Sequence, residues 1–251
     1  MTTSLLNSLL RALLRWGAAL VFCLPLRHRS HFWARACGML FPLLLLAQLL
    51  DPLAQSTTLW QQQLLLLVLY VSFFALLGGM IYLCTDINKK GAMYCAVWSL
   101  LIAQCAYEGW CFLELYFSRH GHPLNMASPW AVLVQLLSGA VFFAAVYILL
   151  ARQLPYKGEY HIGPRQLFSA FFIGILFMVQ AAVLDNFRAE QFPRSVIATI
   201  LIGQFYFITL LYFQSELFKK SAMEKEMNAL NLLYERQRQQ YQVARQNVQI
   251  I

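Results

Sequence analysis

Long apolar runs separated by short polar stretches dominate the pattern of residues along this chain. Six runs approach the length of about 20 apolar residues that a helix needs to cross the hydrocarbon core of a bilayer. We expect these runs to be helices, because an open sheet would leave its backbone groups unpaired in lipid. The predicted spans are residues 37–53, 59–84, 92–116, 130–150, 167–184 and 196–213.

A seventh candidate span covers residues 5–26. Its uninterrupted apolar part, residues 16–26, is too short to cross a bilayer alone, and the longer segment includes Arg11 and Arg15. These arginines are four positions apart and therefore share one face of a helix. The segment is either a span whose arginines face the bundle interior or an amphipathic helix in the interface. We favour the span, and predict an all-α polytopic membrane bundle of six or seven helices.

The composition changes sharply after residue 213, where Glu, Gln and Arg become frequent and neither Pro nor Gly occurs. We therefore expect one cytoplasmic helix over 214–251, after a membrane domain over 1–213. Apolar residues recur in it at alternating spacings of four and three, which is typical of a coiled-coil seam. The alternatives are a parallel dimeric coiled coil, which we favour, and a single solvated helix. The predicted seam is Met223, Met227, Leu230, Tyr234, Gln237, Tyr241, Ala244, Val248 and Ile251.

Lysine and arginine are unevenly divided between the loops, and cytoplasmic loops carry the excess. Arg119, Arg188 and Arg194 are the basic residues of one set of alternate loops, the last two beside Asp185 and Glu190. We predict a multi-pass plasma-membrane protein with its C-terminus in the cytoplasm and, given seven spans, its N-terminus outside. The predicted cytoplasmic loops and the tail contain Arg27, Arg29, Arg35, Lys89, Lys90, Arg152, Lys157, Arg165, Lys219, Lys220 and Lys225.

The amino-acid composition agrees with a membrane protein. Of the 251 residues, 60% are hydrophobic and 12% are charged, whereas a soluble domain carries roughly a quarter charged residues. The net charge of +8 fits loops that face anionic lipid, so we expect the lipid bilayer as a partner and no nucleic acid. The six cysteines lie in or beside apolar runs without a CxxC spacing, which predicts buried thiols and no disulfides.

Polar residues inside the predicted spans are candidates for function, because they are costly to place in lipid. Gln104 and Glu108 share one face of the 92–116 span, and we predict that Glu108 pairs with Arg11 or Arg15. Gln48, Gln135, Gln180 and Gln204 are expected to form interhelical hydrogen bonds. The candidate sensing residues are Glu108, Glu114, Gln104, Arg11, Arg15 and Asp185.

The sequence contains no Gly-rich phosphate loop, no GxSxG and no HExxH motif. All five histidines lie in loops, and we interpret His120 and His122, which flank Gly121, as polar loop residues. We therefore predict no catalytic residue, no metal and no cofactor in this chain.

Short motifs give the chain a resemblance to a known family. One loop runs from Arg27 to Arg35 as RHRSHFWAR, and another reads Tyr160-His161-Ile162-Gly163-Pro164-Arg165. The tail contains Tyr234-Glu235-Arg236-Gln237 and ends Gln246-Asn247-Val248-Gln249-Ile250-Ile251. In this order they resemble the sensor half of Agr-type quorum-sensing histidine kinases, whose catalytic part belongs to the GHKL superfamily. In that family the tail leads into a phosphoacceptor box similar to Cys-His-Asp-Leu-Lys-His, and we expect this chain to stop where that box would begin.

The resemblance implies the sensor module of a two-component system. Such a module detects an extracellular signal, typically a modified or cyclic peptide, and acts as a homodimer. It relays the signal through its C-terminal helix to a kinase domain, and from there to a response regulator. The full-length protein would then be a histidine kinase, with its catalytic residues outside this chain. The alternative function is a small multi-helix transporter or channel subunit, which needs a polar path across the membrane.

Overall fold

Helices make up nearly all of the computed structural model, which describes residues 2–55, 59–119, 129–153, 162–187 and 194–249. The predicted all-α fold class is confirmed, and each predicted apolar run coincides largely with one helix. A 3₁₀ turn at Ala151–Gln153 follows the fifth helix. The helices are α1 (Thr2–Cys23), α2 (Phe32–Gln55), α3 (Leu59–Cys84), α4 (Lys89–Arg119), α5 (Pro129–Leu149), α6 (Pro164–Phe187) and α7 (Arg194–Gln249).

Helix α4 is the centre of the packing. Every residue from 94 to 105 is buried, as expected of a helix that is apolar on all sides. It packs against α1, α3, α5 and α6. Gly78 of α3 and Gly174 of α6 face Ala96 and Val97 of α4, and such small residues let neighbouring helices approach closely.

Helix α1 lies within the bundle. It packs against α2, α3, α4 and α5, and its Ala12, Ala18 and Cys23 are fully buried. Gly17 makes room for α5, since a Cβ atom at this position would lie 3.0 Å from the ring of Phe143. This packing favours a place for α1 in the bundle over the alternative of an interfacial helix.

A short antiparallel bridge joins the α1–α2 loop to the α3–α4 loop. The backbone N–H of Asp86 donates to the carbonyl of Arg27 at 2.8 Å, and that of Arg29 donates to the carbonyl of Cys84 at 3.0 Å. The Arg29 guanidinium also lies 3.8 Å from the Asp86 carboxylate. This loop bridge (residues 27–29 with 84–86) places two loops that the sequence predicts to be cytoplasmic at the same end of the helices.

Three helical stretches in the described residues are long and apolar enough to cross a membrane: Leu67–Cys84, Lys89–Glu114 and Trp130–Leu149. Helices α2 and α6 contribute the shorter apolar stretches Phe32–Gln48 and Pro164–Phe177. The predicted membrane character therefore rests on three helices, and the number of six or seven spans stays a prediction.

Helix α7 runs without interruption for 56 residues. The contacts divide the chain into two units, Met1–Thr209 and Leu210–Ile251. In the first unit, the ring of Phe207 meets that of Phe177 of α6 edge to face, with centroids 5.9 Å apart. In the second unit, every residue from 227 to 242 is exposed.

The six cysteines all lie in described residues, and none of them forms a disulfide, as predicted. Cys111 is only partly buried and Cys37 is exposed, so the prediction of buried thiols is wrong for Cys37. It lies on α2, which packs mainly against α1 and α3 and therefore keeps another face at the surface of the bundle. The buried thiols are Cys23, Cys84, Cys95 and Cys105.

Candidate functional site: a polar cluster of α1, α3 and α4

Two arginines of α1 belong to a polar cluster inside the bundle. Arg11 and Arg15 lie near the middle of this 22-residue helix, one turn apart and on the same face. Arg15 is buried, with 7% of its surface exposed, and Arg11 is partly buried. Because a guanidinium group does not lose its proton in proteins, both side chains are permanent charges in apolar surroundings.

Aromatic side chains of the neighbouring helices contact both guanidinium groups. The Arg11 guanidinium donates a hydrogen bond to the hydroxyl of Tyr107 on α4 and lies 4.4 Å from the centroid of that ring. The Arg15 guanidinium lies 3.7 Å from the ring centroid of Phe73 on α3. A desolvated cation–π contact is worth about 2 kcal/mol, so these rings offset part of the cost of burying the charges.

Gln104 and Glu108 of α4 complete the cluster. The Gln104 side-chain amide donates to the Glu108 carboxylate at 2.9 Å, and both residues are buried. Gln104 also lines a cavity of ≈ 20 Å³ together with Arg11, Arg15 and Tyr70 of α3. That volume is room for about one water molecule.

The cluster is suited to hold charge rather than to perform covalent chemistry. It contains two arginines and one glutamate, which is a formal excess of one positive charge when Glu108 is ionised. It lacks a nucleophile beside a general base, which covalent catalysis requires. In the described residues, no group of three or more His, Cys, Asp or Glu side chains is placed to hold a metal ion. The contacts join α1 to α3 and α4, so a change of charge here would alter how these helices pack.

Glu114 is half-buried farther along α4, where it does not line the cavity. The side chain of Asp185 and the loop residues His120 and His122 lie outside the described residues. The pairing of Glu108 with an arginine stays a prediction. The structure brings together four of the six candidate sensing residues: Arg11, Arg15, Gln104 and Glu108.

Sequence reasoning missed the aromatic partners of the two arginines. Tyr107 follows Gln104 by three positions and therefore lies on nearly the same face of α4. A tyrosine hydroxyl inside a span needs a partner, so this spacing was a usable signal. No signal in the sequence marks Phe73, because it stands in a run of similar apolar residues. Only the packing of α1 on α3 brings its ring to the cluster.

Three further glutamines occupy the helices around the cluster. Gln135 and Gln204 are 3% and 1% exposed. Within the described residues, their side-chain oxygens and that of Gln180 have no hydrogen-bond partner, so the expected interhelical bonds are not made at these atoms. A Cβ atom at Gly203 of α7 would lie 2.6 Å from the Gln180 side-chain nitrogen, which shows how closely α6 and α7 approach here.

The predicted seam of the tail presents apolar side chains at its surface. Gln237 is exposed as well, and the side chains of Ala244, Val248 and Ile251 lie outside the described residues. Leu232 and Leu233 are also exposed and were not part of the prediction, so the apolar surface is broader than the seam. The exposed fraction lies between 62% and 81% for Met223, Met227, Leu230, Tyr234 and Tyr241.

Comparisons with protein-family models, with curated proteins and with solved structures find no match for this chain. Its function is therefore inferred from its own residues and their geometry.

Proposed function

We propose that this chain is the membrane sensor module of a two-component sensor histidine kinase. In this proposal it detects an extracellular peptide signal and passes it through the C-terminal helix to a kinase domain outside this chain. The observation that carries the proposal is α7, an uninterrupted helix of 56 residues. Its first part belongs to the same unit as the other helices, and its second part carries the exposed apolar seam.

The exposed seam supports a homodimer. Apolar side chains at heptad spacing become buried when two such helices wrap around each other, and this burial stabilises the pair by about 25 cal/mol per Å² of apolar surface. A polar residue in the seam, as at Gln237, fixes the register of the two helices and lowers their stability. A change of register or rotation in such a pair is a suitable output for a membrane sensor.

The polar cluster supports a two-state input. A hydrogen bond of Arg11 and a cation–π contact of Arg15 join α1 to α4 and α3. Two arrangements of these helices would therefore differ in the partners of the two guanidinium groups. A signal shifts such an equilibrium only through its different affinity for the two arrangements. The proposed signal is a peptide that reaches the bundle from the outer face.

The loop bridge supports the proposed topology. It places Arg27 and Arg29 at the same end of the helices as Asp86, which precedes Lys89 by three residues and Lys90 by four. Cytoplasmic loops are enriched in lysine and arginine, so this end of the helices is proposed to face the cytoplasm. With seven spans, which the packing of α1 in the bundle supports, the tail helix lies on the same side.

The rival function of a transporter or channel subunit needs a polar path across the bilayer, which in transporters is often formed by broken helices. The cavity in the polar cluster has a volume of ≈ 20 Å³, room for about one water molecule. This cluster is therefore not such a path, and no contact in it favours the rival.

Cross-linking within the tail tests the proposal. In a protein without other cysteines, Leu230→Cys and Tyr241→Cys should form disulfides between chains in membranes, because only seam positions bring paired helices into close contact. Ala229→Cys and Gln239→Cys are the controls and should cross-link weakly. Equal cross-linking at all four positions would show that the tail is a solvated tether, and the relay would lose its support.

A further inference from the structure

Positive charge collects around the loop bridge, at one end of the helices. The two segments that surround the bridge, residues 24–37 and 84–91, contain five lysines and arginines but a single acidic residue, Asp86. The backbone hydrogen bonds of the bridge join the two segments, so all five cations belong to one region of the surface. They are Arg27, Arg29, Arg35, Lys89 and Lys90.

Two of these cations have partners within the protein. The Arg29 guanidinium lies 3.8 Å from the Asp86 carboxylate and 5.0 Å from the ring centroid of Tyr82. The Arg35 guanidinium donates to the backbone carbonyl of Leu83 at 2.8 Å. Both arginines therefore hold their segment against the end of α3, and Arg29 takes up the acidic group of the region.

The other three cations are open to an external partner. Arg27, Lys89 and Lys90 are exposed, and they form no ion pair with another described residue. The carbonyl of Arg27 accepts the backbone N–H of Asp86 at 2.8 Å, three residues before Lys89. The bridge thus keeps the three long side chains in the same neighbourhood. Like charges held together repel each other, and an anion that binds among them turns this repulsion into attraction.

The neighbouring helices place this surface at the level of lipid headgroups. The stretches Leu67–Cys84 and Lys89–Glu114 are each long and apolar enough to cross a membrane, and residues 85–88 join them. A helix that crosses a bilayer leaves the hydrocarbon core near its end, so a short link between two such helices lies at a bilayer surface. Trp33 at the start of α2 is 61% exposed, and tryptophan is enriched at the boundary of membrane and water.

We propose that the loop bridge carries a binding site for the headgroup of an anionic phospholipid. Arg27 donates to the phosphate oxygens through its planar guanidinium, and Lys89 and Lys90 add positive charge. A lipid fits this surface better than a soluble anion, because the bilayer presents its headgroups at this level. The site differs from the general attraction of basic loops to a charged membrane, since it requires particular residues. It uses neither the polar cluster nor the tail, so its failure would leave the sensor proposal untouched.

Native mass spectrometry of the full chain in detergent micelles tests the site. The probe is phosphatidylglycerol, which is anionic, and the neutral comparison is phosphatidylcholine. The first phosphatidylglycerol should bind at a half-saturating concentration about tenfold or more below that of phosphatidylcholine, since each lysine or arginine near a membrane surface attracts anionic lipid.

Removing two of the open cations should weaken this binding. The double substitution Arg27→Gln and Lys89→Gln should raise the half-saturating concentration of phosphatidylglycerol by about tenfold or more. The matched control, Arg236→Gln with Lys220→Gln, removes the same two charges at exposed positions of α7. It should change the concentration by less than about twofold, because distant exposed charges are screened. Circular dichroism checks that all variants keep their helices.

Three results would overturn the proposal. Equal affinities of the unmodified chain for the two lipids would show that the surface does not recognise headgroup charge. An equal loss in the bridge variant and in the tail control would mean that net charge attracts the lipid without a site. Displacement of the phosphatidylglycerol by sodium phosphate, but not by sodium chloride at the same ionic strength, would assign the site to free phosphate. A loss confined to the bridge variant, with phosphate and chloride acting alike, supports the proposal.

Discussion

Tyr107 contacts Arg11 in two ways, through its hydroxyl and through its ring. The two contacts differ in what they require, since the hydrogen bond needs the oxygen and the cation–π contact needs only the ring. At the scale of the residue, this makes Tyr107 the position where the stability of the polar cluster can be separated into its parts.

The substitution Tyr107→Phe keeps the ring and removes the hydrogen bond to a charged group, so it should cost about 1.5–3 kcal/mol. Thermal unfolding of the purified protein in detergent micelles measures the loss. In an Arg11→Ala background the same substitution should be close to neutral. Tyr206→Phe, at a residue that is 61% exposed, is the matched control. An equal loss with and without Arg11 would contradict the assigned bond.

A second prediction concerns the predicted pairing of Glu108. Removing one partner of a buried ion pair leaves the other charge uncompensated, at about 3–5 kcal/mol. We therefore expect Glu108→Gln to destabilise the protein and Arg11→Gln or Arg15→Gln, whichever removes the true partner, to restore part of the loss. Two double-mutant cycles measure the coupling. Additive effects in both cycles would exclude a pair between Glu108 and either arginine.

The members of the polar cluster that carry charge could be predicted from the sequence, and their surroundings could not. Arg11, Arg15 and Glu108 are conspicuous because charge is costly inside an apolar span. Phe73 became part of the cluster only through the packing of α1 against α3, which depends on contacts between distant parts of the chain.

At the scale of the element, glycines decide how closely the helices pack. Gly17 of α1 faces the ring of Phe143 of α5, whereas nothing lies within 4 Å of a Cβ at Gly38 of α2. Both residues are inside helices, so the intrinsic effect of a substitution on helix propensity is similar. The difference between the losses of stability on substitution at the two positions therefore measures the effect of packing alone.

The substitution Gly17→Val should cost about 1–3 kcal/mol, because added methyl groups force α1 and α5 apart. Gly38→Val should change the stability far less. The midpoints of thermal unfolding in the same detergent give the comparison. Similar losses for both variants would mean that helix propensity, and not the contact with Phe143, governs the result.

The helices themselves were largely predictable, and the loop bridge was not. Apolar runs bounded by polar residues mark each helix, since the length of the run follows from the thickness of the bilayer. The bonds of Arg27 and Arg29 to the α3–α4 loop are made by backbone atoms, which every residue carries. Such bonds leave no trace in the pattern of side chains, and only the packed helices bring the two loops together.

At the scale of the whole molecule, the orientation in the membrane is the open prediction. Lys89 and Arg119 mark the two ends of α4, which is long enough to cross the bilayer. Single cysteines at these positions, in a protein without other cysteines, should react with an impermeant maleimide from opposite sides. Reaction at Lys89 from the cytoplasm and at Arg119 from outside is expected. Reaction of both from one side would make the proposed topology wrong.

The polar cluster also has a consequence for biosynthesis. Arg11 and Arg15 are synthesised before Tyr107 and Gln104, which leave the ribosome about ninety residues later. At about 5–20 residues per second, α1 waits on the order of 5–20 s before the helix that completes its surroundings exists. Two arginines without their partners from α4 are costly in lipid, so the insertion of α1 into the bilayer should be unstable at first. Among α1–α4, the helix that is synthesised first is then among the last to take its final place in the bundle.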